Sequence, residues 1–274
     1  MARHYCLSYL TLELSPPETV EIAAAAGFDA IGLRMMPAMD GGRAFPLMAN
    51  HTMLAETERR LAETGITVFD VEIARIDGRH GIEDWQGMLE CSARLGAQTV
   101  IAAGIDPDES RLTDRFAALC AAAAPLGLAV NLEFTPWTPV CDAKTALRVV
   151  TAAGQPNGQV LIDTIHAARS GTTLKDLRAI PRERLSYFQI CDCPAEIPPT
   201  IEGLLFTARQ ERLLPGEGGV DLAGMVKILP PDLTVSVEIP SHRRVAKMGH
   251  LDWARTCLDA TRSAMNNYDR DKGD

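Results

Sequence analysis

Four polar residues interrupt apolar runs at the places where buried strands end: Glu133 in "AVNLEF", Asp163 in "VLIDTIH", Gln189 in "LSYFQICD" and Glu238 in "TVSVEIP". A carboxylate buried alone is costly, or gives up its charge. Three carboxylates converging on one mouth repel one another, and a divalent cation removes that repulsion. Oxygen donors favour Mn, Mg or Co over a thiolate-seeking metal, and the Gln189 amide oxygen can supply a fourth bond. Each residue also has a plainer reading. An acid at a strand end caps the next helix or pairs with an arginine, a glutamine holds structure, and His166 is a satisfied core histidine. The case for chemistry rests on the set, because the four fall in phase on consecutive strands.

Other residues with chemistry surround this set. Glu72 lies inside "TVFDVEIAR" and Arg34 ends "DAIGLR". Trp137 in "PWTPV" offers a flat aromatic face to the C–H side of a sugar, or packs beside the core. Arg209 and Arg212 follow the seventh strand in a long segment of the kind that covers a barrel site. They can bind a substrate carboxylate or phosphate, or lie on a solvated helix face. Glu217, in the tight turn "PGEGGVD", is expected to aim inward, and "IPSHRR" brings His242 and Arg243 to the rim. The methionine-rich stretch "MMPAMDGGRAFPLM" is a mobile apolar wall or a plain connector.

The elements that must position these residues follow from the period of the apolar pattern. Strands are expected at 4–10, 29–34, 67–75, 99–104, 129–134, 160–166, 185–192 and 234–240, with helical stretches between them. "SPPETVEIAAAAGF" begins with Ser15 as N-cap and Pro16 at the first helical position, and it ends at Gly27, where a left-handed cap is cheap. Glycine closes "ERRLAETGI", "CSARLGA" and "AAAAPLGL" in the same way. Strands apolar on both faces belong to a parallel sheet covered by helices. Eight such units without a compositional break predict a single α/β domain over residues 1–274, a closed (β/α)8 TIM barrel, with a frayed tail over 266–274. An open doubly wound sheet is the alternative. No GxGxxG follows the first strand, so a dinucleotide site of that type has no support.

Bulk properties narrow the function. A net charge of −9 gives no general attraction for nucleic acid or anionic lipid. No apolar run approaches the length of a bilayer span, and the start "MARHYCLSYL" lacks a signal-peptide pattern. The seven cysteines are odd in number and scattered, which points to reduced thiols and a cytoplasmic location.

At these residues the sequence resembles the sugar isomerase/epimerase superfamily of xylose-isomerase-like (β/α)8 barrels. The carrying motifs are "AGFDAIGLR", "NLEF", "LIDTIH", "YFQICD", "LPGEGGVDL" and "VSVEIPS". The resemblance implies a divalent metal, commonly Mn, Mg or Co, held by Glu133, Asp163, Gln189 and Glu238. It implies that Glu133 and Glu238 move a proton on either face of the carbon beside a carbonyl. It makes His166 the hydrogen-bond partner of a substrate oxygen, and a homodimer paired through the loop side an expected assembly. Two features depart from the ketose 3-epimerases: Gln189 stands where many have histidine, and "FTPWTP" replaces an Asn-Arg element. Gln189 is similar to the residue of 3-dehydroshikimate dehydratases, so the expected activity is isomerisation or epimerisation of a small keto-sugar or polyol-derived ketone, with dehydration of a 3-dehydroshikimate or inosose type as the alternative. An abasic-site endonuclease and a non-catalytic sugar-binding barrel are remoter readings. The acidic charge and only six histidines oppose the first, and the acid set, which needs a neutralising partner, opposes the second.

Overall fold

The double-sided burial of the apolar runs has a closed solution. In the computed structural model, which describes residues 3–270, the strands pair in parallel, in sequence order, and the last closes on the first. They are β1 (Tyr5–Leu7), β2 (Ala30–Arg34), β3 (Thr67–Ile76), β4 (Thr99–Gly104), β5 (Ala129–Glu133), β6 (Gly158–Asp163), β7 (Tyr187–Ile190) and β8 (Thr234–Val237). The helices between and after them are α1 (Pro16–Ala26), α2 (His51–Thr64), α3 (Ile82–Arg94), α4 (Glu109–Ala123), α5 (Ala143–Ala153), α6 (Thr164–Arg169), α7 (Leu174–Arg178), α8 (Ile201–Gln210), α9 (Leu222–Ile228), α10 (His242–Met248) and α11 (His250–Arg270). This is a (β/α)8 TIM barrel, and the open sheet is excluded by the β1–β8 pairing.

Local sequence sets the helix ends. Ser15 N donates to Glu18 Oε2 at 3.1 Å across the first turn of α1, and Gly27 ends that helix at φ 91°. Apolar side chains of the outer strand faces merge with the helices into one core that includes the fully buried Trp85 and Trp253. Trp253 Nε1 donates to Ile239 O at 3.1 Å and so ties α11 to the chain just past β8. A smaller cluster joins Cys6, Ala30, Phe69, Ile101, Leu161 and Tyr187 from strands on opposite sides of the barrel and fills its interior.

Several expectations change, and the sixth strand among them stops at Asp163 rather than running on to His166. The first strand stops at Leu7 because residues 9–11 turn into a 3-10 helix, with Thr11 Oγ1 donating to Val237 O at 2.8 Å. The seventh strand is shorter at both ends, since Asp192 leaves it to form an antiparallel bridge with Leu213. The long segment after it is not all loop, because α8 occupies residues 201–210. The expected tail is helical through Arg270, as part of α11, and residues 271–274 lie outside the described residues.

One interior residue carries a stability cost that the fold tolerates. Asp70 of β3 is fully buried, its Oδ1 has no hydrogen-bond partner, and its Oδ2 accepts only a long contact from Cys6 Sγ at 4.0 Å. It fits because residue 32 is glycine: a Cβ there would meet Asp70 Oδ1 at 2.6 Å. Burial, and then the nearby Glu72 and Glu238, push its carboxyl well above the usual range. A raised folded-state value means full stability below the unfolded value of about 4 and progressive loss as pH climbs through the folded one. Asp70→Asn removes that loss. It is expected to raise the melting temperature relative to wild type at pH 8 and to give a shrinking gain as pH falls toward 4. Thermal melts of both proteins across that range check this, and a gain independent of pH refutes it.

Candidate metal centre and active site

The mouth of the barrel is built by strand ends and one helix start. Glu133 ends β5, Asp163 ends β6, and Asp163 Oδ1 accepts from Ile165 N at 3.0 Å. Asp163 is therefore the N-cap of α6, and that cap swings His166, one helical turn on, back over the mouth. The Asp-x-x-His spacing has this physical meaning. His166 Nε2 lies 3.7 Å from Glu133 Oε1 and 3.6 Å from Asp163 Oδ2. Ligand atoms of Glu133, Asp163 and His166 all lie within 4.8 Å of one another.

This keeps Glu133 and Asp163 of the expected ligand set and overturns the Gln189 ligand. His166 belongs to the cluster that can hold a metal, and Gln189 does not. The Gln189 amide is turned to Glu238, with Nε2 donating to Oε1 at 3.0 Å. Ser8 Oγ donates to the same oxygen at 2.6 Å, and Arg212 Nη2 lies 2.8 Å from the other, Oε2. Both oxygens of Glu238 are thus engaged, and Glu238 stands beside the cluster rather than in it. Gln189 acts as an orienting donor because it pairs in register with Ser236, two residues before Glu238.

Arg212 is the second surprise. It is 2% exposed, with Nη1 2.7 Å from Asp163 Oδ2 and Nε donating to Ala208 O at 2.7 Å. Neither expected reading, substrate ligand or solvated helix face, describes a guanidinium bridging two buried carboxylates. Arg34 and Glu72, partners in the β2–β3 register, form an ion pair at 2.5 Å, with Arg34 also 4.6 Å above the Tyr9 ring. Trp137 meets the His166 ring edge-on at 5.1 Å. Glu217, expected to aim inward, pairs with Arg244 at 2.7 Å on the partly exposed outside. Its turn is held by Asp192, whose carboxylate accepts from Gly216 N, Gly218 N and Val220 N at 3.0, 2.9 and 3.1 Å. Gly218 is required there, since a Cβ would lie 2.2 Å from Cys193 O. His242 pairs with Glu13 at 3.0 Å at the rim.

Electrostatics separate the roles. Burial, then Glu238 and Asp163, push the Glu133 carboxyl well above the usual range, and among the described residues no lysine or arginine pairs with it. Burial also raises Glu238, with Arg212 opposing. His166 is pushed down to about 3, first by burial and then by Arg212, so its ring is neutral at physiological pH, the state a metal ligand needs. Two carboxyl groups, one of them without a lysine or arginine partner among the described residues, and a neutral imidazole fit a divalent cation. Above the cluster opens a cavity of about 300 Å³, lined by Arg34, Glu72, Glu133, Trp137, His166, Gln189, Arg209, Arg212 and Glu238 among others. Sequence reasoning missed Ser8, whose polar side chain stands one residue past β1, and the rim residues Glu13 and Thr138.

Among the described residues no helix is long and apolar enough to cross a membrane. The chain is 25% identical to an inosose isomerase of Bacillus licheniformis over 205 residues, 69% of this chain and 70% of that one. It is 26% identical to a 3-dehydroshikimate dehydratase of Pseudomonas aeruginosa over 237 residues, 80% of this chain but only 35% of that protein's length. A zinc-bound structure of the IolI protein superposes with a TM-score of 0.77 at 19% identity, covering 97% of this chain and 99% of the other. A D-psicose 3-epimerase with D-tagatose from Clostridium cellulolyticum superposes at 0.74 with 14% identity, covering 96% and 99%. These two likenesses show the fold. The model of one family, the xylose isomerase-like TIM barrel, matches residues 20–263, and this chain belongs to it.

Proposed function

We propose that this protein is a divalent-metal-dependent enzyme that moves a proton at the carbon beside a carbonyl in a small polyhydroxylated compound, as an isomerase or epimerase. The observation that carries the reading is the Glu133–Asp163–His166 cluster on the floor of a cavity also lined by Glu238. Mn, Mg or Co suits these oxygen and nitrogen donors and, when bound, would polarise the substrate carbonyl as a Lewis acid. The chain does the rest. Glu238, held in one orientation by Ser8, Gln189 and Arg212 and with its carboxyl raised by burial, is the base that takes the proton. Glu133 faces the same cavity as the second carboxylate able to return it. Glu72 presents an oxygen, Oε1, without a partner, which suits a substrate hydroxyl. Trp137 packs on His166 and walls the cavity on that side, excluding water.

Loss of a β-hydroxyl after the same first step would make the enzyme a dehydratase, and the similarity to 3-dehydroshikimate dehydratase supports that branch. Proton NMR in deuterated water, with Mn and a panel of keto-sugars, inososes and 3-dehydroshikimate, tests both. Deuterium exchange at the carbon beside the carbonyl is expected with at least one compound. Net epimer or isomer identifies the isomerase branch and loss of water the lyase branch. No exchange with any of them overturns the proposal.

A further inference from the structure

We infer that Arg209 is a recognition point for a carboxylate on the substrate, so that the cavity takes a hydroxy-carbonyl acid in preference to a neutral sugar. The inference rests on the reading of the cavity as the site of a proton-transfer enzyme and names the class of compound it accepts.

Four arginines line or border this cavity, and their partners differ. Arg34 is paired with Glu72, and Arg212 with Asp163 and Glu238. Arg43 is exposed and lies 5.4 Å above the Phe45 ring at the rim. Arg209, in the last turn of α8, is half-buried and faces the cavity. Among the described residues no carboxylate lies within ion-pairing distance of it, and its hydrogen-bond contact is Nη1 to Met39 Sδ at 3.9 Å, a weak acceptor. Burial, and then repulsion from Arg34, lower its affinity for its own proton, as expected for a cation that lacks its counter-ion.

The surroundings favour an anion arriving with the ligand. Ala38, Ile101, Ala103 and Ile105 form apolar wall on the same cavity, where a charge-assisted pair is screened less than at the surface. A guanidinium takes a carboxylate through two parallel N–H donors, which fixes orientation as well as affinity. A single negative charge matches the Arg209 guanidinium, which is half-buried and, among the described residues, without a carboxylate partner. A doubly charged phosphate fits less well, because Glu72, Glu133 and Glu238 line the same space and repel the second charge. With its carboxylate on Arg209, a compound of this cavity's size directs its other end toward Glu133, His166 and Glu238.

Isothermal titration of the Mn-loaded protein with 3-dehydroshikimate and with its methyl ester tests the inference apart from catalysis. Wild type is expected to bind the acid at least about tenfold more tightly than the ester. Arg209→Gln should weaken binding of the acid alone and close that gap, while Arg209→Lys keeps part of it. The Arg209→Gln protein should melt at the wild-type temperature, since no ion pair is lost. Equal affinities in wild type, no binding of either compound, or an unchanged ratio in Arg209→Gln overturns the inference. Tighter binding of dihydroxyacetone phosphate than of the acid, lost in Arg209→Gln, overturns the carboxylate in favour of a phosphate. The exchange experiment separates the two readings. Acid–ester discrimination without exchange on any compound would sink the enzyme reading and keep the subsite, and exchange without discrimination would do the reverse.

Discussion

Glu133→Gln is expected to lower affinity for a divalent cation by at least about 100-fold while leaving the metal-free protein as stable as wild type, or more so. The loss follows from its place in the cluster. Removing a partner one shell out from a metal typically costs about 10- to 100-fold in affinity, and Glu133 is placed to touch the ion itself. Turnover should fall by about 10²- to 10⁴-fold with it, the usual scale for a lost acid–base group. The gain in stability has a separate cause. Burial, Glu238 and Asp163 hold the Glu133 carboxyl well above its unfolded value of about 4.3. Such a group contributes fully below that value and loses stability as pH rises through its folded one. The amide has nearly the same shape and no charge to lose, so the difference in melting temperature should favour the variant increasingly from pH 4.5 to pH 8. Titration with Mn in a chelator buffer and calorimetric melts at both pH values check the two halves independently. Unchanged Mn affinity would remove Glu133 from the metal centre. A variant less stable than metal-free wild type at pH 8 would mean that Glu133 makes a favourable contact other than with the ion.

The barrel was legible because its strands are buried on both faces, which leaves uninterrupted apolar runs, and because glycine ends helix after helix before the next run. Glu133 and Asp163 were legible for the same reason: an acid that ends such a run stands out. The path of the chain beyond Asp163 was not. "VLIDTIH" scans as one strand to residue 166, yet the chain turns helical at Thr164, and that turn brings His166 into one cluster with Glu133 and Asp163. Side-chain direction across strands was equally hidden. The Glu238 carboxylate that the Gln189 amide meets is also held by Ser8, from the start of the chain, and by Arg212, from the segment between β7 and β8. Asp192 closes the expected strand over 185–192, yet four backbone N–H groups, three of them from 24 to 28 residues later, consume its carboxylate in holding the glycine turn. Glu217 is turned outward by that same turn. Periodicity locates strand ends well, but it carries no information about which of two polar neighbours a buried carboxylate will choose.

Arg212→Met should cost about 3–5 kcal/mol of stability at pH 7 in metal-free protein, the largest single-site loss expected at this mouth. The guanidinium is fully enclosed and bridges Asp163 and Glu238 at 2.7 and 2.8 Å, so its removal strands two buried carboxylates, with Glu133 unpaired beside them. The pH dependence follows from Glu238. Burial raises its carboxyl and Arg212 opposes that rise, so the variant's Glu238 climbs further. Its penalty is complete above the raised folded value and vanishes below the unfolded value of about 4.3, so the gap between variant and wild type narrows as pH falls. A divalent cation offers a second rescue, because it brings positive charge to the Glu133–Asp163–His166 cluster that shares Asp163 with Arg212. Saturating Mn should therefore restore more stability to Arg212→Met than it adds to wild type. Arg212→Lys should recover only part of the loss, since one ammonium cannot reproduce a fork that spans two carboxylates. Urea unfolding at pH 7 and pH 5, with and without Mn, reads all of these differences. If Mn stabilised both proteins equally, the cation and Arg212 would be acting on separate charges, and the shared role assigned to Asp163 would fall.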